Sequence, residues 1–158
     1  GNVYVANTGG NVVVKASPEG EMAQVYGWTE SGPSVLNQPT DVSVDSEGTL
    51  YIVDTENARI RVLNNVGEYL REWSISAANT FDSPHIVWGG DGLLYLTDPE
   101  TGRVLVYDVY GRLVTIWGEK GSLEGQFNKP VGIGFDQRAS VYVADTYNHR
   151  IQKFVLSR

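Results

Sequence analysis

The apolar residues of this chain come in short stretches of about four or five residues, and turn-forming residues separate them. Between residues 41 and 73, two clusters containing Asp, Asn and Gly, at 45–48 and 64–67, have the composition of tight β-hairpin turns. The stretch 50–53 is apolar at successive positions, which indicates a strand buried on both faces. The pattern therefore predicts an antiparallel meander of four strands, at residues 41–44, 50–53, 60–63 and 69–73.

The same pattern recurs along the chain with a period of 44 to 47 residues. Each unit has a tyrosine in its second strand, and three units have an Asp after this strand and an Arg five residues later. Four-stranded units of this length that cover one another face to face are typical of β-propeller blades. We therefore expect an all-β fold, a β-propeller built of four-stranded antiparallel blades. The repeated residues are Tyr4, Tyr51, Tyr95 and Tyr142, and the pairs Asp54/Arg59, Asp98/Arg103 and Asp145/Arg150.

The last unit carries a family resemblance. Its segments 127–130, 141–146 and 147–154 resemble the NHL repeat. The resemblance extends over essentially the whole chain but fades in the first unit, where Asn7 and Val12 replace the Asp and the Arg. It implies a propeller fold, and propellers of this kind serve as binding modules, receptor sensor domains, RNA readers and, in some cases, enzymes. Bacterial NHL propellers resemble extracytoplasmic sensor or surface domains, which favours a location outside the cytoplasm.

The number of predicted strands indicates an incomplete ring. We expect one NHL-repeat propeller segment over residues 1–158, with complete blades at about 39–74 and 84–118 and partial blades at about 1–28 and 130–158. Closed propellers have about four to eight complete blades. Because unpaired edges favour association, we expect the ring to be completed in a homodimer, or by further sequence of a larger protein of which this chain is a fragment.

Composition and charge narrow the possible functions. With 158 residues, of which 41% are hydrophobic and 20% charged, the chain suits one compact soluble domain. It has no apolar stretch of the roughly 18 to 20 residues that a membrane span requires, so no span is expected. The lack of cysteine excludes disulfides and cysteine-ligated zinc. A net charge of −7 repels phosphate backbones, so nucleic acid is not an expected partner.

The long loops are the expected place of function, since a meander brings alternate connections to the same end of a sheet. The links between units share this end with the loops that join each Asp to its Arg. A carboxylate and a guanidinium at the two ends of one hairpin are close enough for a charge-assisted hydrogen bond, which predicts that these pairs hold the loop. In the last unit this hairpin also carries Tyr147, His149 and Arg150, which are candidates for ligand contact.

Thr40, Asp41 and His85 lie where inner strands begin, a place from which side chains reach the central channel of a propeller. A Pro-His pair there is similar to the zinc sites of NHL-type propeller lyases of peptide amidation, in which His residues from several blades meet at one metal. Catalytic zinc needs about three protein ligands, and His85 is the one His of this chain at such a position. Asp41 and Asp45 are a candidate pair for calcium, although turn and strand-end roles are preferred for them. We therefore expect no resident metal or cofactor.

Two tryptophans, Trp28 and Trp88, depart from the repeat and are candidates for a specific contact. The leading interpretation is a non-enzymatic binding or scaffold module that presents its loops to a protein, peptide or sugar. One alternative is a metal-dependent propeller enzyme, similar to the amidating lyases, that uses His85. The other is a propeller fragment for assembly with no activity of its own. The candidate ligand-binding residues are Trp28, Thr40, Asp41, His85, Trp88, Tyr147, His149 and Arg150, and no catalytic residue is assigned.

Overall fold

The computed structural model describes residues 1–27, 35–75 and 83–155. No helix with the length and hydropathy of a membrane span occurs in this described part of the chain. Within the same residues the chain forms fourteen β-strands: β1 (Val3–Asn7), β2 (Val12–Ala16), β3 (Met22–Tyr26), β4 (Pro39–Val44), β5 (Leu50–Asp54), β6 (Arg59–Leu63), β7 (Tyr69–Ser74), β8 (Ile86–Trp88), β9 (Leu93–Asp98), β10 (Arg103–Asp108), β11 (Leu113–Trp117), β12 (Pro130–Phe135), β13 (Ser140–Asp145) and β14 (Arg150–Val155).

The strands form four antiparallel meanders, which we call blade 1 (β1–β3), blade 2 (β4–β7), blade 3 (β8–β11) and blade 4 (β12–β14). The predicted all-β fold is confirmed, and none of the four sheets closes on itself. The strand bounds in blade 2 differ from the expected ones by at most two residues, since β4 begins at Pro39 and β7 ends at Ser74.

The chain divides into two compact units, Gly1–Ala78 with blades 1 and 2, and Asn79–Arg158 with blades 3 and 4. In the first unit, Val13 and Tyr26 of blade 1 pack in one core cluster with Leu50 and Ile52 of blade 2. Each unit therefore buries the facing sides of two neighbouring blades. In the second unit the core cluster contains Tyr95, Val104 and Val106 of blade 3, Phe127 of the link, and Val141 and Val143 of blade 4.

The second strands β5 and β9 are buried on both faces, as their sequences predict, whereas in β13 the face of Tyr142 and Ala144 is only half-buried. The other face is buried in all three strands. Leu50 and Ile52 of β5 have no exposed surface, and neither do Val141 and Val143 of β13 or Leu94 and Leu96 of β9. The equivalent residues of β1 are different, because Val3 is 50% and Val5 is 49% exposed. One face of blade 1 therefore presents to solvent the positions that are buried in the other blades.

Candidate functional site

In blades 2, 3 and 4 the turn between the second and third strands is built around one polar side chain. In blade 1 the equivalent turn joins β1 to β2, because β1 corresponds to the second strand of the other blades. In blade 4 the polar side chain is Asp145, which has no exposed surface and accepts hydrogen bonds from the Asn128 amide at 2.7 Å and the Asn148 side chain at 2.9 and 3.0 Å. The same carboxylate accepts hydrogen bonds from Arg150 Nε at 2.8 Å and Gln152 Nε2 at 3.0 Å. Asp145 therefore connects three segments: the link between blades 3 and 4, which contains Asn128, the hairpin turn, and the third strand of blade 4.

The guanidinium of Arg150 adds a second connection to the link. Its Nη2 atom donates to the carbonyl oxygens of Leu123 at 2.6 Å and Gln126 at 3.0 Å. Together with the hydrogen bond from the Asn128 amide, these contacts hold the link between blades 3 and 4 at three points.

Blade 2 repeats this arrangement. Arg59 Nε donates to Asp54 at 2.7 Å, and Arg59 Nη2 donates to the carbonyl of Val35 at 3.1 Å. Asp54 also accepts hydrogen bonds from the Asn37 amide at 2.7 Å and the Asn57 side chain at 2.8 Å. The structure thus shows the Asp/Arg contact that the repeat predicts, and shows in addition that the pair binds the incoming link.

Blades 3 and 1 depart from the arrangement in different ways. In blade 3 Thr101 stands in the turn, where its hydroxyl donates to Asp98 and accepts a hydrogen bond from Arg103 Nε at 2.9 Å. In blade 1 the charged pair is absent altogether, since Asn7 and Val12 occupy its positions. Asn7 accepts a hydrogen bond from a backbone amide of its own turn at 3.1 Å.

The electrostatics of the blade 4 site favour a fixed anion. Burial by itself raises the pKa of Asp145, but the hydrogen bonds from the Asn128 amide, Asn148, Arg150 and Gln152 outweigh it, so that the pKa lies below its ordinary value. Asp145 is therefore ionised at neutral pH and stabilises the positive charge of Arg150 beneath the loop.

An exposed aromatic side chain lies on this support. Residues Thr146–Asn148 form a 3-10 turn, and Tyr147 at its centre is 59% exposed. Lys129 Nζ donates to the Tyr147 hydroxyl at 3.3 Å and lies 4.9 Å from the centre of its ring. The hydrogen bond and the cation–π contact together restrict the orientation of the ring. His149, also exposed, ends the turn with φ of 53°; we call Lys129, Tyr147 and His149 the loop cluster.

Thr40 and Asp41 lie at the start of an inner strand of blade 2. The register of β4 and β5 shifts between Pro39 and Asp41, which places Thr40 in a bulge. The hydroxyl of Thr40 lies 2.7 Å from that of Thr55, so the two side chains share a hydrogen bond.

His85 lies at the corresponding start in blade 3, directly before β8. Its amide donates to Thr97 Oγ1 at 2.9 Å, and its carbonyl accepts the Thr97 amide at 2.9 Å. The Thr97 hydroxyl in turn donates to the carbonyl of Val131 in blade 4 at 2.9 Å. Thr97 therefore connects the inner strands of blades 3 and 4 at this point.

The carboxylates considered for calcium take part in local structure. Asp41 accepts a hydrogen bond from the amide of the next residue at 2.9 Å. Asp45 accepts hydrogen bonds from the Thr49 amide at 2.9 Å and the Tyr51 hydroxyl at 3.1 Å. Within residues 1–27, 35–75 and 83–155, no group of three or more His, Asp or Glu side chains is placed to hold a metal ion.

The two tryptophan candidates do not join the loop cluster. Trp88 is the last residue of β8 and is half-buried. It lies at the end of blade 3 where short turns join β8 to β9 and β10 to β11, which we call the tight-turn end, whereas His85 lies at the opposite end. Trp28 lies outside the described residues. Arg150 lies beneath the cluster, with its Nε and Nη2 atoms donating to Asp145 and the link.

Sequence reasoning missed two contacts. One is the contact between Lys129 and Tyr147, which are 18 residues apart in the sequence. Lys129 belongs to the link that precedes blade 4, and Tyr147 belongs to the hairpin. The other is a hydrogen bond from the hydroxyl of the second-strand tyrosine to an Asp of the preceding tight turn, which recurs in blades 2, 3 and 4. The pairs are Tyr51/Asp45 at 3.1 Å, Tyr95/Asp91 at 3.0 Å and Tyr142/Asp136 at 3.0 Å.

Two members of these pairs have shifted pKa values. Burial and, secondly, the nearby Asp45 raise the pKa of Tyr51 to about 12. Hydrogen bonds from the amides of Ser140 and Arg138 lower the pKa of Asp136 to about 2.

Comparison with known sequences identifies the repeat. Residues 36–63 and 127–154 match the NHL repeat. Human NHL repeat-containing protein 3 is 31% identical over 78 residues, which are 47% of this chain and 22% of that protein. Protein brain tumor of Drosophila melanogaster is 50% identical over 38 residues, which are 24% of this chain and 4% of that protein. The chain thus spans less than a quarter of the length of either curated relative.

Solved structures show the same fold. Virginiamycin B lyase from Staphylococcus aureus superposes on 100% of this chain and 53% of its own, with a TM-score of 0.67 and 18% identity. A structural genomics protein of unknown function from Bacteroides thetaiotaomicron covers 91% of this chain and 39% of its own, with a TM-score of 0.71 and 17% identity. The four sheets are therefore propeller blades, and the predicted NHL-like propeller fold is confirmed.

We expect Asp145→Asn to lower the free energy of unfolding by about 3 kcal/mol at pH 7, because it leaves the guanidinium of Arg150 without its buried anion. Glu124→Gln removes the same charge from an exposed link residue, and this control should cost less than about 0.5 kcal/mol. Urea unfolding of the three proteins measures both values.

The same comparison has an expected pH dependence. The folded pKa of Asp145 lies below the unfolded value of about 3.9. Its stabilising contribution is therefore present above pH 4 or so and is lost as the pH falls through the folded pKa. The difference in the free energy of unfolding between wild type and Asp145→Asn should therefore decrease as the pH is lowered from about 4 towards the folded pKa. A loss at pH 7 no larger than that of Glu124→Gln would show that Asp145 does not hold the loop.

Proposed function

We propose that this NHL-repeat chain is a non-enzymatic binding and scaffold module that presents the loop ends of its blades to a protein, peptide or sugar ligand. The observation that carries the proposal is the exposed ring of Tyr147, which Lys129 orients and whose turn is anchored on the buried Asp145. Such a side chain is ready to contact a ligand without rearrangement of the blade.

A supported aromatic ring has the properties that recognition requires. A Tyr side chain loses little conformational entropy on binding, because only two torsions position it. Lys129 restricts the Tyr147 ring further before any ligand arrives. The ring offers apolar area, while its hydroxyl, the Lys129 ammonium group and the His149 imidazole offer polar contacts, a combination suited to peptides and sugars.

We expect Tyr147→Ala to weaken at least tenfold the binding of ligands that the wild-type protein selects from a displayed peptide library or a glycan array. The matched control is Tyr110→Ala, since Tyr110 is 69% exposed in the tight turn between β10 and β11, at the other end of its blade. Binding by this control should equal that of wild type. Equal effects of the two substitutions, or selection of no ligand, would contradict a site at the loop cluster.

The exposed face of blade 1 supports the further proposal that the chain completes its ring by self-association, or with sequence beyond these residues. Val3 and Val5 border this face, and a groove of about 500 Å³ lies on it. Large exposed apolar patches mark interaction sites. The apolar side chains that line the groove are Val12, Val14, Met22, Val25 and Val35.

Light scattering coupled to size exclusion tests self-association. We expect a mass near twice 17.4 kDa for the wild-type chain and the monomer mass for Val5→Asp, since a carboxylate in an apolar interface is costly to desolvate. Val114→Asp, at an exposed position of β11, is the control and should keep the dimer mass. A wild-type monomer would contradict self-association.

A metal-dependent lyase is the second candidate. It is favoured by the fold shared with virginiamycin B lyase and by His85 at the entrance of an inner strand. In this case the purified protein should retain zinc or another divalent metal in stoichiometric amount, and His85→Ala should lose it. Elemental analysis measures the metal content. A metal-free protein whose unfolding midpoint a chelator does not change would contradict the lyase.

A further inference from the structure

Two positions give the loop end of blade 4 a different charge from those of blades 2 and 3. Lys129 is the last residue of the link before β12, and Tyr147 is the central residue of the turn after β13. Blade 4 therefore has an aromatic ring beside a cation where the two complete blades have an acidic residue and a neutral one. The equivalent residues are Gln38 and Glu56 in blade 2, and Ser83 and Glu100 in blade 3.

The exposure of Tyr147 is a property of its position in the turn. Glu56 and Glu100 occupy this position in the two four-stranded blades, and both are exposed. In blade 3 the link that leaves the blade passes close by, since a Cβ atom on Gly102 would lie 2.8 Å from Lys120 Cα. Glu100 is exposed beside that link. A side chain at this position of the turn is therefore accessible to a ligand.

An exposed tyrosine ring on an acidic protein is suited to bind cations. The face of the ring is electron-rich and attracts the ammonium group of lysine or the guanidinium group of arginine. The chain has a net charge of −7, which attracts positively charged ligands to its surface. Without a further charge nearby, Tyr147 would therefore favour arginine and lysine side chains of a partner.

Lys129 already supplies a cation to this ring. Its Nζ atom lies 4.9 Å from the centre of the Tyr147 ring, within the roughly 6 Å range of a cation–π contact, and 3.3 Å from the hydroxyl. The Thr146 amide donates to the carbonyl of Lys129 at 3.2 Å, so the backbone of Lys129 is bound to the turn that carries the ring. A ligand cation at the ring would be repelled by the Lys129 ammonium group.

The carboxylate beneath the turn does not offset this repulsion. Asp145 has no exposed surface, and it accepts a hydrogen bond from Arg150 Nε at 2.8 Å. Its charge is thus compensated inside the blade, and it offers no exposed oxygen to a ligand cation.

We propose that Lys129 determines the specificity of the loop cluster by excluding positively charged side chains from Tyr147, so that a bound polypeptide places an uncharged or acidic side chain against this ring. The inference rests on the proposed binding role of the loop cluster and names the class of ligand that it selects. Polypeptides are the ligands to which such a rule applies, because arginine and lysine are their common cationic groups. Specificity of this kind comes from a repulsive element as well as from attractive contacts.

The test uses two small probes, N-acetylarginine amide and the uncharged N-acetylglutamine amide. The ring signals of Tyr147 in isotope-labelled protein are followed by NMR as each probe is added. The initial slope of the shift with the arginine probe should be about threefold larger in Lys129→Met than in wild type, because the ring is then open to a ligand cation. The slope with the glutamine probe should not increase.

Two further variants serve as controls. Lys120→Met removes the same charge from an exposed position of the same link, and its slope with the arginine probe should equal that of wild type. Lys129→Arg keeps the charge beside the ring and should also behave as wild type. Equal unfolding midpoints will verify that all the variants are folded.

Selection from a displayed peptide library gives a second measurement. Arginine and lysine should occur in the peptides enriched by the wild-type protein at about half their frequency in the unselected library or less, and at about twice the wild-type frequency or more in those enriched by Lys129→Met.

Three results would overturn the proposal. The first is an equal slope with the arginine probe for wild type and Lys129→Met; if Tyr147→Ala still weakens binding of the selected ligands, the loop cluster remains a binding site that Lys129 does not make selective. The second is an equal increase in Lys120→Met, which would indicate an effect of net charge alone. The third is a wild-type protein that enriches glycans and no peptides.

Discussion

The buried carboxylate at the end of the second strand is the contact on which the loop end of a blade depends. In blade 4 Asp145 binds the link, the turn and the third strand at once, and Asp54 does the same in blade 2. A buried charge is tolerated only when hydrogen bonds and a counter-charge compensate its desolvation. The amide, the turn asparagine and the arginine must therefore all be in place together, and this requirement fixes the positions of three segments distant in sequence.

The loop cluster derives its geometry from the same contact. Lys129 follows Asn128, whose amide Asp145 binds, and Tyr147 precedes Asn148, whose side chain Asp145 also binds. Lys129 has a positive φ of 60°, a conformation that non-glycine residues keep only where their surroundings enforce it. The backbone contacts from the Thr146 amide to Lys129 and from the Tyr147 amide to Asn128 supply that enforcement. The exposed ring is consequently held by the blade itself.

The sequence was sufficient to predict features that recur. Strands, hairpin turns and Asp/Arg contacts follow from short-range patterns repeated in several units, so the four meanders and their strand numbers could be predicted. Contacts between unlike segments could not be predicted in this way. The pairing of Lys129 with Tyr147 occurs in one blade and joins a link to a hairpin. The Tyr51/Asp45 contact does recur, but Asp45 had been interpreted from the sequence as a turn residue and as a calcium candidate, not as a partner of the tyrosine. The sequence identified Trp88 as a departure from the repeat, but only the structure shows that it is the last residue of β8 and lies away from the loop cluster.

Departures from the repeat are more informative about interaction than the repeat itself. Blade 1 has lost both members of the charged pair, with Asn7 and Val12 in their places. Loss of one member alone would leave a buried charge unpaired at a cost of about 3 to 5 kcal/mol, so the two changes are physically coupled. Their combined effect is to remove both charges from this end of blade 1, where Asn7 and Val12 line one groove with Val14 and Val25. The groove is therefore suited to apolar contact rather than to the charge-assisted hydrogen bonds that hold the links of blades 2 and 4.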